Sequence, residues 1–401
     1  MDKSEPYDYE NPLKNRESKP LVDFLKDDNW QSIDISKDFL DFDKPYRPPR
    51  YTLDRDGVPF ADVGEVHVVS GKPGNGKTGL MAQLIAATIG GKFGNTVARK
   101  VGHKINGTEE FHEVPTKVLY VDTEQGEDDT IGLKNRIISM AGVSTESAKE
   151  HLKILRLRDT ELAQDRWRKI LKAIYEVQPT DIFLDGMLDI VEDYNDQKEC
   201  QPIVRKCMML ATYYDTSLWV VLHENPLINK LVGTLGSITQ RKVSEIFTVI
   251  KVKQADLKKS EQRDDLPDIY FRVKQTKARG KDVADWLFRF ESTASGLGVP
   301  VEFTPESMPE EPETDKTADG KHALEACRAK LDAVAPIKNL TRTKLRDKLR
   351  LKFQIGSPAA YNIIDYAVYY RILDKIDDRY TLQEEDPIQF EDGKQNKNDP
   401  F

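Results

Sequence analysis

Residues Gly71-Lys72-Pro73-Gly74-Asn75-Gly76-Lys77-Thr78 fit the pattern G-x-x-x-x-G-K-[ST]. This pattern dictates a strand, a tight loop and a helix in that order, because the glycines turn backbone N–H groups inward around an anion. The flanks agree. "EVHVVS" before the loop reads as a buried strand, and "TGLMAQLIAATI" after it reads as a helix whose N-terminal dipole favours the same anion. Gly71, Lys72, Pro73, Gly74, Asn75, Gly76, Lys77, Thr78 and Gly79 are the candidate cofactor-binding loop, with ATP and Mg²⁺ as the expected cofactors. Lys77 is expected to reach the β- and γ-phosphates, and the Thr78 hydroxyl to hold the metal.

Strand runs downstream narrow the class. "KVLYVDTEQG" (117–126) ends in Asp122-Thr123-Glu124, and "DIFLDG" (181–186) ends in Asp185. "SLWVVLHENP" (217–226) ends in His223-Glu224-Asn225. "FTVIKVKQA" and "DIYFRVKQTKARG" read as two further strands joined by the charged turn "DLKKSEQRDDLP". Strands alternating with helical segments over 51–302 predict an α/β domain with a mostly parallel twisted sheet flanked by helices. Kinases and GTPases place their signatures differently, and no N/T-K-x-D guanine motif lies in this segment.

From Tyr51 to Phe290 this order resembles the RecA-like P-loop ATPases, in particular the RepA-type and DnaB-type helicase branch. The resemblance implies roles residue by residue. Glu124 fits the glutamate that polarises the attacking water. Asp185 fits the Walker B aspartate that orients Mg²⁺. His223 fits the position that senses the γ-phosphate. Lys277 and Arg279, in "KARG", resemble the K-x-R-x-G finger that reaches a neighbouring subunit's nucleotide, although Gly280 follows Arg279 directly here. Phosphoryl transfer needs positive charge at the γ-phosphate, and a cation supplied in trans would couple hydrolysis to subunit motion. The family also places a DNA-binding loop after the third strand. "ENPLINKLVGTLGSITQRK" (224–242) reads as an irregular loop of that kind, with Lys230, Arg241 and Lys242 as candidate phosphate contacts. "LVGTLGSITQRKVSEIFTV" is loosely similar to a segment of ATPases from bacterial mobile elements.

Composition sets the boundaries. The first 50 residues are polar, with one amphipathic piece, "PLVDFLKDDNW", and read as an arm. Residues 303–320 hold three prolines and six acids, and read as an extended linker. Residues 321–385 read as a second unit and 386–401 as a polar tail. Residues 90–115 read as an insertion in which His103 and His112 lie in a solvated loop. Cys200, Cys207 and Cys327 make no metal or disulfide pattern and read as core packing. No apolar run reaches the roughly 18 residues of a membrane span, and the first 20 residues lack a signal core, so a cytoplasmic location and no membrane partner are expected.

The net charge of −8 hides a division: residues 321–382 carry 13 Lys and Arg against 7 Asp and Glu, leaving −14 on the rest. A basic module on an acidic chain is the footprint of a nucleic-acid contact. "DGKHALEACRAKLDAV", "TRTKLRDKLRLKF" and "GSPAAYNIIDYAVYYRIL" read as three helices, the last with Ser357 as N-cap and Pro358 at its first position. "ILDKIDDRYTL" reads as a hairpin. Three helices and a hairpin resemble a winged-helix domain, whose third helix enters the major groove. Its leading residues Ala359, Ala360, Tyr361 and Asn362 are expected to be exposed. Arg342, Lys344, Arg346 and Lys348, with Arg350 and Lys352, are candidate phosphate contacts on the second helix. The resulting expectation is an ATP-hydrolysing homo-oligomer, with a hexamer among the sizes open to it. It would bind single-stranded DNA through the motor and duplex through the winged helix, as a replicative or mobile-element helicase. A recombinase-like DNA organiser and an ATP-gated regulatory or defence switch are the alternatives.

Overall fold

The computed structural model describes residues 36, 39–43, 46–104, 111–225, 231–257, 259, 261–294, 296–309, 327–354, 356–369, 372–376 and 379–383. Residues up to Pro49 separate from the unit that begins at Arg50, and the amphipathic piece 20–30 lies outside the described residues.

The chain enters through a hairpin, β1 (Tyr51–Arg55) and β2 (Val58–Asp62), and continues into β3 (Val66–Gly71). Helix α1 (Lys77–Gly90) follows and stops at Gly91, whose left-handed backbone ends helices without a Cβ clash. The expected insertion is built of β4 (Lys92–Phe93), β5 (Thr96–Ala98), β6 (Gly102–Lys104) and β7 (Phe111–Glu113). Here the expectation of a solvated loop is corrected. His103 is buried, and its Nδ1 lies 2.8 Å from the Asp215 carbonyl oxygen.

Next come β8 (Val118–Asp122), α2 (Glu127–Ala141), α3 (Thr145–His151) and β9 (Leu152–Arg156). Three acids in the first turn of α2 complement its dipole. Then follow α4 (Ala163–Val177), β10 (Asp181–Asp185), α5 (Gln197–Tyr214), β11 (Ser217–His223), α6 (Gly233–Lys242) and β12 (Glu245–Lys253). The domain closes with β13 (Ile269–Lys277), β14 (Trp286–Ser292) and β15 (Gly298–Phe303).

Nine of these strands form one sheet in the order β15-β14-β13-β12-β3-β11-β10-β8-β9. Strands β12 to β9 in that order run parallel, while β13, β14 and β15 are added antiparallel. The parallel strands read as unbroken apolar runs because both faces are covered. Along each one the side chains alternate between two cores. Val69, Tyr120, Phe183, Trp219 and Phe247 pack with α1, α2 and the β1–β2 hairpin. Val68, Val121, Leu184, Val220 and Ile246 pack with α4, α5 and α6. Cys200 and Cys207 sit in the second core, and burial pushes their thiols up to about 11 and about 12, so both are packing residues as expected.

The domain does not stop at residue 302. Phe303 completes β15, and Arg263 and Arg272 donate to the Ser307 and Pro309 carbonyls, so the stretch expected as linker is tied to the core up to residue 309. Residues 310–326 lie outside the described set.

A second sheet-and-helix unit follows. Residues 327–332 are helical, and β16 (Leu340–Thr341), α7 (Arg342–Phe353), α8 (Ser357–Tyr369), β17 (Leu373–Ile376) and β18 (Arg379–Leu382) complete it. Its sheet order is β16-β18-β17, around a core of Leu331, Leu345, Leu349, Ile364 and Tyr380. The Thr341 side chain caps α7 by accepting from the Lys344 N–H. Helix α8 begins one residue earlier than expected, since the Gly356 carbonyl accepts the Ala360 N–H. Ala360 is fully buried and Tyr361 half-buried, which corrects their expected exposure. Among the described residues no helix is long and apolar enough to cross a membrane.

Candidate active site

The C-terminal ends of β3, β8, β10 and β11 converge on the phosphate loop. Gly74 and Gly76 have φ of 75° and 79°, a region that excludes most side chains. At Gly76 space is a second reason: a Cβ there would lie 2.9 Å from the Phe271 ring, and Phe288 stacks behind that ring. The Lys77 ammonium donates to the Gly71 and Lys72 carbonyls at 3.1 and 3.0 Å, which places it in the cup of the loop. Burial lowers its pKa below the ordinary value, while Asp185, Glu124 and Glu224 oppose that shift.

Asp185 ends β10 with the Thr78 hydroxyl donating to it at 2.9 Å and the Tyr120 hydroxyl at 2.8 Å. Burial raises its carboxyl to about 6 in spite of these donors. A hydroxyl and a carboxylate are hard oxygen donors, and a buried carboxylate with so little counter-charge fits a divalent cation. Thr78 and Asp185 therefore fit Mg²⁺, which when bound would neutralise charge on the phosphates.

Glu124 follows β8 and is aimed by its neighbours. The Asp122 carboxylate accepts the Glu124 and Gln125 N–H groups and the Thr130 hydroxyl. Thr123 ties β8 to β10, its hydroxyl donating to Asp189 at 2.7 Å and its N–H to the Asp185 carbonyl. Glu124 Oε1 lies 3.4 Å from His223 Nε2, and this contact holds the Glu124 carboxyl below its ordinary value. His223 Nδ1 is buried and has no hydrogen-bond partner among the described residues. An ionised glutamate at a strand end near a buried ammonium is suited to orient a water and take its proton.

Sequence reasoning missed several residues here. Tyr120, Asp122 and Thr123 position the two carboxylates. Glu224 accepts from Ser70 at 3.0 Å, Ser70 bonds Thr248 at 2.8 Å, and Thr248 bonds Thr276 at 3.1 Å. Their signal was the clustering of polar residues at strand ends.

The remaining candidates are elsewhere. β13 pairs its end, Lys277, with Ile246, and Ile246 faces Val68 near the start of β3. Lys277 donates to the Gln240 and Val243 carbonyls, and Arg279 to the Lys242 carbonyl and Glu65. Both cations lie at the opposite end of the sheet from Lys77 of the same chain. Arg241 and Lys242 are there too, in the last turn of α6, so the expected irregular loop is corrected to a helix over 233–242. Lys230 lies outside the described residues.

In the second unit, Lys348 donates to the Val334 and Pro336 carbonyls. Arg346 pairs with Asp347 and donates to the Tyr361 hydroxyl, while Arg342 lies over the Tyr361 ring. Lys348 is half-buried and ties α7 to the segment before β16. Lys344, Arg350 and Lys352 are exposed.

The AAA domain family model matches residues 34–226. Over those residues the chain is similar to a P-loop ATPase domain. That match takes in the phosphate loop, Glu124, Asp185 and His223. A KaiC-like protein from the hyperthermophilic archaeon Pyrococcus horikoshii OT3 superimposes with a TM-score of 0.40 at 14% identity, covering 64% of this chain and 100% of that one. No curated protein matches the sequence.

Proposed function

We propose that this protein is a Mg²⁺-dependent ATP hydrolase that works as a homo-oligomeric, DNA-bound motor of the helicase type. The observation that carries hydrolysis is the Glu124–His223 pair beside Lys77, Thr78 and Asp185. It supplies a base, a group that responds to the base, a phosphate cation and metal donors around one loop.

The oligomer is supported by the placement of Lys277 and Arg279. Lys277 lies level with Val68, three residues or about 10 Å of strand before Gly71, and Arg279 pairs with Glu65, ahead of β3. This placement suits a nucleotide held by another copy. DNA binding is supported by the charge division and by the exposed Lys344, Arg350 and Lys352 of α7. With its order of helix, strand, two helices and hairpin, the second unit is read as a winged helix that anchors duplex.

The test measures ATP turnover with and without single-stranded DNA, alongside mass in solution with a non-hydrolysable nucleotide. Stimulation by DNA and a ring-sized mass are expected. Ending the chain at Pro309 should weaken duplex binding and reduce its salt slope by about 0.9 for each phosphate that the second unit had neutralised. A monomer in every nucleotide state, with turnover indifferent to DNA, refutes the motor and favours an ATP-gated switch.

A further inference from the structure

Asp62, His67 and Glu245 lie together at the end of the sheet remote from the nucleotide site. Asp62 ends β2, His67 is the second residue of β3, and Glu245 opens β12 directly across the ladder from His67. One donor atom from each lies within 4.8 Å of the other two. His67 is fully buried and Glu245 nearly so.

The tautomer of His67 follows from its surroundings. Its Nε2 lies 3.1 Å from the Asp62 backbone carbonyl, which only accepts, so Nε2 carries a proton. Nδ1 then faces two carboxylates, with Glu245 Oε2 at 3.0 Å and Asp62 Oδ1 at 3.8 Å. The Glu245 contact is close enough for an ion pair, yet Nδ1 meets no hydrogen-bond geometry among the described residues. A lone pair facing a buried carboxylate and a partly exposed one is relieved by a cation between them.

A second proton on His67 would leave the trio at −1. A divalent cation brings the trio to zero. Geometry agrees: two ligands at right angles, each about 2.1 Å from one ion, stand about 3 Å apart with the ion off the line between them. We propose that His67 Nδ1 and carboxylate oxygens of Asp62 and Glu245 form a binding site for a divalent transition metal.

The surrounding hydrogen bonds are those that fix ligand orientation. The Ser244 hydroxyl is 2.9 Å from both Asp62 oxygens. The Ala61 N–H donates to Glu245 Oε2, and the Gln275 amide to Glu245 Oε1. One imidazole and two carboxylates suit Zn²⁺ or Mn²⁺ better than Mg²⁺, which takes oxygen ligands. The ion would join the entry hairpin, the phosphate-loop strand and β12 where Lys277 and Arg279 sit, apart from the Thr78–Asp185 site.

The experiment strips the full chain with a chelator and returns Zn²⁺ or Mn²⁺ without nucleotide. Elemental analysis should find one equivalent per chain, and saturation at a hundredfold excess over Kd should raise the melting temperature by about 5 °C. His67→Gln and Asp62→Asn should each lose the equivalent. Should His67→Gln fail to fold, Asp62→Asn, at a partly exposed position, decides. Three results overturn the proposal: no metal retained by the natural chain, retention by either variant, or loss on Thr78→Ala, which would assign the ion to the nucleotide site. A thiolate charge-transfer band from the Co²⁺-substituted protein would place the ion on cysteine and overturn it equally.

Discussion

Replacing Asp185 with asparagine should make the protein more stable while ending its ATPase activity. Asp185 is buried, and burial raises its carboxyl from 3.8 to about 6. The folded state therefore holds a proton that the unfolded state has already released. Stability falls as pH rises from 3.8 through about 6, and the loss is complete above that window. At about 1.4 kcal/mol per pH unit, the displacement corresponds to about 3 kcal/mol against the fold at pH 7.5. Asparagine keeps an oxygen for the Thr78 and Tyr120 hydroxyls and carries no charge. Asp185→Asn should gain about 3 kcal/mol in urea unfolding at pH 7.5, and about half of that at pH 5. Mg²⁺ with nucleotide should narrow the gap at pH 7.5 by stabilising only the natural chain. A variant no more stable than the natural protein, or a gain independent of pH, would refute the reasoning.

Lys77→Ala should abolish nucleotide binding, whereas Glu124→Gln should bind nucleotide and lose turnover by at least about a hundredfold. Fluorescent-nucleotide titration beside steady-state turnover checks both, and full turnover by Glu124→Gln removes that residue from the chemistry. Gly76→Ala should cost about 3 kcal/mol, from its left-handed backbone and the clash with the Phe271 ring. Chemical denaturation reads that cost, and an unchanged midpoint contradicts the geometry.

Much of the nine-stranded domain was legible in the sequence because buried parallel strands write themselves as apolar runs ending in polar residues. The loop, Glu124, Asp185 and His223 could each be placed that way. The edge strands β15 and β9 lack such runs and became evident only from pairing, as did β14, whose short apolar start is followed by exposed residues. Helix α6 was hidden by Gly233 and Gly236. Its α-helical packing tolerates the second because Leu231 covers it, leaving no room for a side chain. The Asp62–His67–Glu245 group was unreadable for a different reason. Its members are 183 positions apart at the extremes, and only the β3–β12 register unites them. On α7 the positive charges were plain, but not that Lys348 spends its ammonium on Val334 and Pro336.

The sheet order has a consequence for synthesis. β3 is flanked by β11 and β12, and both leave the ribosome after it, β12 by about 170 residues. At about 5–20 residues per second, the phosphate-loop strand waits roughly 10–35 s for its second neighbour. The wall behind the loop arrives later still, since Phe271, Phe288 and Phe290 are what Gly76 and Gly79 lean against. A nascent chain shorter than about 290 residues has the whole G-x-x-x-x-G-K-T motif but lacks this aromatic wall. The loop's full support is thus completed late in translation.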